Sequence, residues 1–343
     1  MQLSETVKLY MTKEQKTHIA ATMTEYIKTV NHLVSVAING TSISKYTTAD
    51  VAADLPSAIT NQCIRDAKSI VSKYNKAVRK AARNQKSAKQ DPKKKEKEVK
   101  VPVLKKPCCY INNQNFRLRE DAIEFPVCIN GKSKRIAVRT AMTERQKQRF
   151  ANAKFGAMRI VCKGTKIVSQ IVYEVSEPEY PGDGTVMGVD LGIKCPAVSY
   201  CTDGNVKFYG NGRKNKYMRR HYQYLRRKLQ KAKHVDALKR VNNKEQCIMK
   251  DIDHKISHDI IEMAVDHGVR RIKLEQLSKI RSTTRTSRKN NHSLHNWSFY
   301  RLAQYIEYKA RLAGIKVEYV NPAYTSQKCP VCGHVHHAND RDY

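Results

Sequence analysis

Two changes of hydrophobic period along the chain predict an α+β multidomain protein. Long helices come first, an antiparallel β domain follows, and an α/β domain closes the chain. The helical period holds from Lys13 to about Gln85 and gives way to a period of two from about Lys100 to Glu177. From Val186 onward, strands and helices alternate. At 343 residues the chain is long enough for at least two cores.

The elements follow in order. Glu5 to Tyr10 alternates like a short strand. Thr12 is placed to cap a helix starting near Lys13, with Ile19, Met23, Ile27, Val30, Leu33 and Val34 on one face. A second helix is predicted from Ser57 to about Gln85. Gln90 to Glu98 loses periodicity and reads as a basic linker. Phe116–Arg119, Ala122–Phe125, Arg135–Arg139, Met158–Val161 and Ile167–Tyr173 read as successive antiparallel strands, with turn signals at Asn130-Gly131 and Lys163-Gly164. A small barrel that includes the N-terminal strand and carries the helices as an insertion is the simplest assembly.

Glu177 to Gly184, rich in Pro and Gly, marks a boundary. Beyond it come three strands (Val186–Ile193, Ala197–Cys201, Val206–Tyr209), helices over about Lys216–Ala232 and Asn243–Asp266, and a strand Val269–Leu274. A helix Ser298–Ala313 and a strand Lys316–Val320 complete a ribonuclease H-like plan. The predicted divisions are 1–10 for the first barrel strand, 11–99 for the helical insertion and linker, 100–180 for the barrel, 181–328 for the α/β domain and 329–343 for a cysteine segment.

Charge narrows the function class. Lys plus Arg number 65 against 31 Asp plus Glu, a formal net charge of +34. Such an excess is costly in self-repulsion unless a polyanion offsets it, and nucleic acid does so through counterion release. No apolar run reaches the roughly 20 residues of a membrane helix, and Gln2-Leu3-Ser4-Glu5 does not begin a signal sequence. Most of the ten cysteines are scattered through apolar runs, as expected of free thiols in a reducing compartment. The expectation is a cytoplasmic protein associated with nucleic acid.

Two acids carry the candidate chemistry. Asp190 lies in Gly188-Val189-Asp190-Leu191-Gly192, and Glu275 ends the run Arg270 to Leu274. In the expected strand order these strands are neighbours, so the two carboxylates converge. Paired oxygen ligands suit Mg²⁺, and two such ions about 4 Å apart activate water and stabilise the leaving oxygen in phosphodiester cleavage. Asp203 reads only as a turn residue.

Cys329 and Cys332, in Cys-Pro-Val-Cys-Gly, have the spacing of half a Zn²⁺ site. The stretch from Lys207 to Arg240 holds thirteen Lys or Arg and one acid, with Tyr217, Tyr222 and Tyr224 between them. Arg213, Lys214, Lys216, Arg219, Arg220, Arg226, Arg227 and Lys228 are its candidate phosphate contacts. Arg281, Arg285 and Arg288 lie in a basic, Ser/Thr-rich stretch just after Glu275 and are candidates to guide a strand.

These motifs resemble those of the TnpB (insertion-sequence OrfB) family, which is related to miniature type V CRISPR effectors. Gly188–Ile193 resembles the first motif of its RuvC nuclease domain, and Ile272–Leu277 the second. Trp297–Leu302 and Pro322–Gly333 resemble the approach to its zinc-finger insertion. The resemblance implies a wedge-like barrel with a helical recognition insertion, a RuvC domain and a zinc finger. It also implies a transposon-associated, RNA-guided DNA endonuclease that binds a guide RNA and cleaves complementary double-stranded DNA beside a short adjacent motif, with Mg²⁺.

The family pattern continues with a second Cys-x-x-Cys and a third catalytic Asp, and neither precedes Tyr343. The sequence is therefore expected to be a shortened form of a nuclease. The alternative is an RNA-guided repressor that binds without cutting. Oligomeric state is not legible.

Overall fold

The computed structural model describes residues 1–88, 99–164, 166–180, 182, 184–241, 243–277, 280, 287, 291, 294–321 and 332–336. It divides into two compact units, Met1–Ser176 and Glu177–Tyr343.

The first unit is built on a seven-stranded antiparallel sheet. Its strands are β1 (Gln2–Tyr10), β2 (Cys108–Ile111), β3 (Arg117–Leu118), β4 (Ala122–Ile129), β5 (Lys132–Ala141), β6 (Phe155–Lys163) and β7 (Lys166–Glu174). The order is β2-β6-β7-β1-β5-β4-β3, so the N-terminal strand sits at the centre. Gln2 faces Glu174 and Lys8 faces Val168 on β7, while Lys8 to Tyr10 pair with β5. The β4–β5 hairpin turns through Asn130 and Gly131, at φ 51° and 70°. That is the two-residue left-handed turn an Asn-Gly pair supplies at least steric cost.

Between β1 and β2 come α1 (Lys13–Ile38) and α2 (Ser57–Ala88), at the place of the expected insertion. Thr12 caps α1 by accepting from the Gln15 backbone N–H, and the Gln15 side chain returns the bond to Thr12. Ile19, Met23, Val30, Leu33 and Val34 are buried as predicted, Ile27 is only partly so, and Tyr26 is buried beside them. A short helix, α3 (Glu144–Phe150), was not anticipated; Thr143 caps it.

The second unit has a five-stranded sheet of β8 (Thr185–Asp190), β9 (Ala197–Cys201), β10 (Val206–Tyr209), β11 (Val269–Glu275) and β12 (Lys316–Val320), in the order β10-β9-β8-β11-β12. β9 is antiparallel to β8 and β10, whereas β11 is parallel to β8 and β12. The helices are α4 (Gly212–Lys231), α5 (Val235–Val241), α6 (Lys244–Asp266) and α7 (Phe299–Leu312). Met187, Val189, Ile272 and Leu274 form the buried side of the sheet and cluster with Ile256 and Ile260 of α6 and Leu302 and Ile306 of α7. Alternation puts Gly188, Asp190, Lys273 and Glu275 on the opposite side. The strand and helix order matches the sequence expectation, apart from the added α5. Among the described residues no helix is long and apolar enough to cross a membrane.

Candidate active site and nucleic-acid interface

Asp190 and Glu275 are the last residues of two adjacent parallel strands. Val189 pairs with Leu274, so one step further the two acids stand side by side. Parallel neighbours are about 4.8 Å apart, close enough for both carboxylates to share a ligand. Asp190 is exposed and Glu275 half-buried. The carboxyl ends of parallel strands are where open α/β sheets place their ligands. Two hard oxygen donors there suit a divalent cation. Among the described residues, however, no group of three or more His, Cys, Asp or Glu side chains is placed to hold a metal.

Close backbone packing fixes the segment after Asp190. A Cβ on Gly192 would lie 2.6 Å from the Cys195 carbonyl oxygen, and one on Gly212 would overlap the Ile193 and Lys194 carbonyls. Gly212 also donates its N–H to the Lys194 carbonyl at 3.0 Å. The start of α4 is thereby locked against the loop that leaves Asp190. The same contact explains why α4 begins at Gly212 rather than near Lys216. Asn211 caps it, accepting from the Lys214 N–H at 3.0 Å.

α4 carries eight of the predicted phosphate contacts, and the fold sorts them into two groups. Arg213, Lys214, Lys216, Arg220, Arg227 and Lys228 are exposed. Arg219 and Arg226 turn instead toward Glu245 of α6, with N···O distances of 3.7 Å and 2.6 Å. Burial pushes the Arg219 guanidinium below its usual range and Glu245 pulls it back up. On the exposed side Arg213, Tyr217, Arg220, Tyr224 and Arg227 recur at alternating steps of four and three, forming one stripe along the helix. Tyr217 is 66% and Tyr224 65% exposed. Cations alternating with aromatic rings are what a single-stranded backbone and its bases require.

A second charge cluster was not legible in the sequence. Asp253 of α6, 4% exposed, receives Arg301 of α7, whose Nε donates to Oδ2 at 2.7 Å; Ser298 Oγ donates to Oδ1 at 3.3 Å. Burial pushes the Asp253 carboxyl up, and Arg301 draws it down. Next to it the His254 ring stacks on Tyr305 at 4.0 Å.

Asp203 is a turn residue, as expected. It accepts from the Asn205 N–H at 3.0 Å and meets His267 Nδ1 at 2.7 Å. Cys332 is exposed. Arg281, Arg285, Arg288 and Cys329 lie outside the described residues, so the basic stretch and the zinc half-site keep the status of sequence expectations.

Comparison with known proteins places this geometry. Residues 170–281, which include both acids and the whole of α4, match the OrfB_IS605 family, described as "Probable transposase". Residues 299–343 match the Cas12f1-like TNB domain. A TnpB-like protein of Methanocaldococcus jannaschii is 29% identical over 235 residues, covering 64% of this chain and 81% of that protein. Over these residues the chain is similar to TnpB-family proteins.

The CRISPR-associated endodeoxyribonuclease Cas12f1 of Sulfoacidibacillus thermotolerans is 35% identical over 107 residues, which is 31% of this chain and 24% of that enzyme. In fold, the chain resembles Cas12f1 as seen in a cryo-EM complex with single-guide RNA and target DNA. The TM-score is 0.55 at 14% identity, covering 94% of this chain and 75% of that one.

Proposed function

We propose that this protein is an RNA-guided DNA endonuclease of the TnpB family. On this reading the second unit is a RuvC domain of ribonuclease H-like type, the first a wedge-like barrel with a helical recognition insertion, and residues from Cys329 onward part of a zinc knuckle. The observation that carries the reading is the pairing of Asp190 with Glu275 at neighbouring parallel strand ends, with the cationic and aromatic stripe of α4 locked to the same loop. The matched families and relatives support it.

Asp190 and Glu275 would hold Mg²⁺, which supplies an activated water and charge stabilisation for the leaving oxygen. The chain's own residues do the rest. The α4 cations neutralise phosphates and fix the path of a strand. The Gly212 lock sets the distance between that path and the carboxylates. The guide pairs with the target, so the protein reads backbone shape rather than sequence over that stretch.

The test is to purify the protein with its copurified RNA and add guide-matched duplex DNA with Mg²⁺. Cutting that disappears in Asp190→Ala and in EDTA supports the nuclease. Tight guide-matched binding with no cleavage at any Mg²⁺ concentration replaces it with the binding-only repressor.

A further inference from the structure

We infer that the cavity between α4, α6 and the start of α7 is a seat for one unpaired nucleotide, with Trp297 stacking on its base. The inference rests on the nuclease reading, since it names the class of ligand delivered beside Asp190.

The cavity has a volume of about 650 Å³ and is walled in part by Ile193, Lys216, Arg220, Gln223, Arg227 and Trp297. That is well within the range of small-ligand sites, and ample for a base with its sugar. Its electrostatics are one-sided. The two acids on the wall are already matched, Glu245 by Arg219 and Arg226 and Asp253 by Arg301. Lys216, Arg220 and Arg227 are exposed and have no acidic partner among the described residues. The pocket thus presents uncommitted cations around an aromatic wall, which selects an anion carrying a flat apolar face. Nucleotides have that composition.

Position adds a second argument. The wall reaches Gly192 and Ile193, two and three residues beyond Asp190. Arg220 and Arg227 belong both to the exposed stripe of α4 and to the cavity rim. A strand lying along the stripe therefore passes the mouth of the cavity. A base turned inward would anchor the strand and set which phosphate arrives at the carboxylates. Gln223 offers an amide donor and acceptor to a base edge.

Trp297 is the one tryptophan in the sequence, so it reports its own occupancy. The experiment uses the full-length Asp190→Ala protein without Mg²⁺, titrated with a short oligothymidylate while Trp297 fluorescence is recorded. Saturable quenching is expected, with no quenching by an abasic oligonucleotide of the same length. Arg220→Gln with Arg227→Gln should weaken binding about tenfold or more by losing phosphate contacts. Trp297→Ala, followed by anisotropy of a labelled strand, should weaken it about tenfold, as expected for one lost base stack. Thermal unfolding verifies that each variant is folded.

Unchanged Trp297 emission at saturating oligonucleotide overturns the inference, as does equal quenching by the abasic strand. Equal quenching by polyglutamate also overturns it, in favour of an acidic peptide. Guided cutting by the parent protein with Mg²⁺, without quenching in the variant, rejects the pocket alone. Quenching in the variant, without guided cutting by the parent protein, retains the pocket and rejects the nuclease.

Discussion

Arg301 reaches across from α7 to set Nε at 2.7 Å and Nη2 at 2.6 Å from the same buried oxygen of Asp253 on α6. The pair ties the two helices that cover the buried side of the five-stranded sheet. Removing one partner of a buried ion pair strands the other charge, at a cost of about 3 kcal/mol or more. Asp253→Ala is therefore expected to lower the stability of the second unit by that order in denaturant unfolding. Replacing both residues together, as Asp253→Leu with Arg301→Met, should recover most of the loss.

The carboxylates at the strand ends behave in the opposite way. Asp190 is exposed and makes no structural ion pair among the described residues. Asp190→Ala should leave the unfolding midpoint within about 0.5 kcal/mol of the parent, as at ordinary surface sites. In a guided cleavage assay it should abolish product. Glu275→Gln should likewise abolish cutting, because an amide cannot replace a carboxylate as an anionic metal ligand.

The six predicted contacts that α4 leaves exposed should act together on binding. Changing Arg213, Lys214, Lys216, Arg220, Arg227 and Lys228 to Gln should flatten the salt dependence of single-strand affinity, reducing the log–log slope by up to about 4. Arg226→Gln should differ in kind. Because Arg226 serves Glu245 at 2.6 Å, its loss should appear in unfolding experiments more than in the salt slope.

Gly212→Ala tests the lock between α4 and the loop after Asp190. The added methyl meets backbone carbonyls that have no rotamer to escape into. A loss of about 1–3 kcal/mol is expected, the usual cost of overpacking. Cleavage should fall further than binding, since the carboxylates and the strand path are displaced relative to each other.

His254 gives a pH signature. Burial, and then the nearby Lys309 charge, lower its pKa from the ordinary 6.5, so the folded chain favours the neutral ring. Its contribution to stability is fully present above 6.5 and is lost as the pH falls through the lower folded value. Unfolding free energy should decline over that acid interval, and His254→Gln should flatten the decline.

The sequence displays the order of elements in the second unit because each strand and helix there has one clean period and a boundary of Gly, Pro or a capping residue. The neighbouring of Asp190 and Glu275 was legible for the same reason: strand order alone decides it. The division of the α4 arginines was not. Arg219, Arg220, Arg226 and Arg227 look alike in sequence, and only the packing of α6 against α4 turns one pair toward Glu245. Asp253 and Arg301, 48 residues apart, carry no local signal of their union. Trp297 is partly buried against Phe299. Its place on a cavity wall depends on three helices meeting.

The central position of β1 carries a consequence for biosynthesis. Its partners on β7 lie 160 to 172 residues downstream, at Val168 to Glu174. On the ribosome the first ten residues therefore wait, while α1 and α2, whose contacts are local, can pair early. Long-range ladders of this kind are slow to close, and an unpaired strand left waiting invites intermolecular pairing. The two charged residues of that strand, Glu5 and Lys8, are a suitable guard for a nascent chain that must remain single until its seventh strand has emerged.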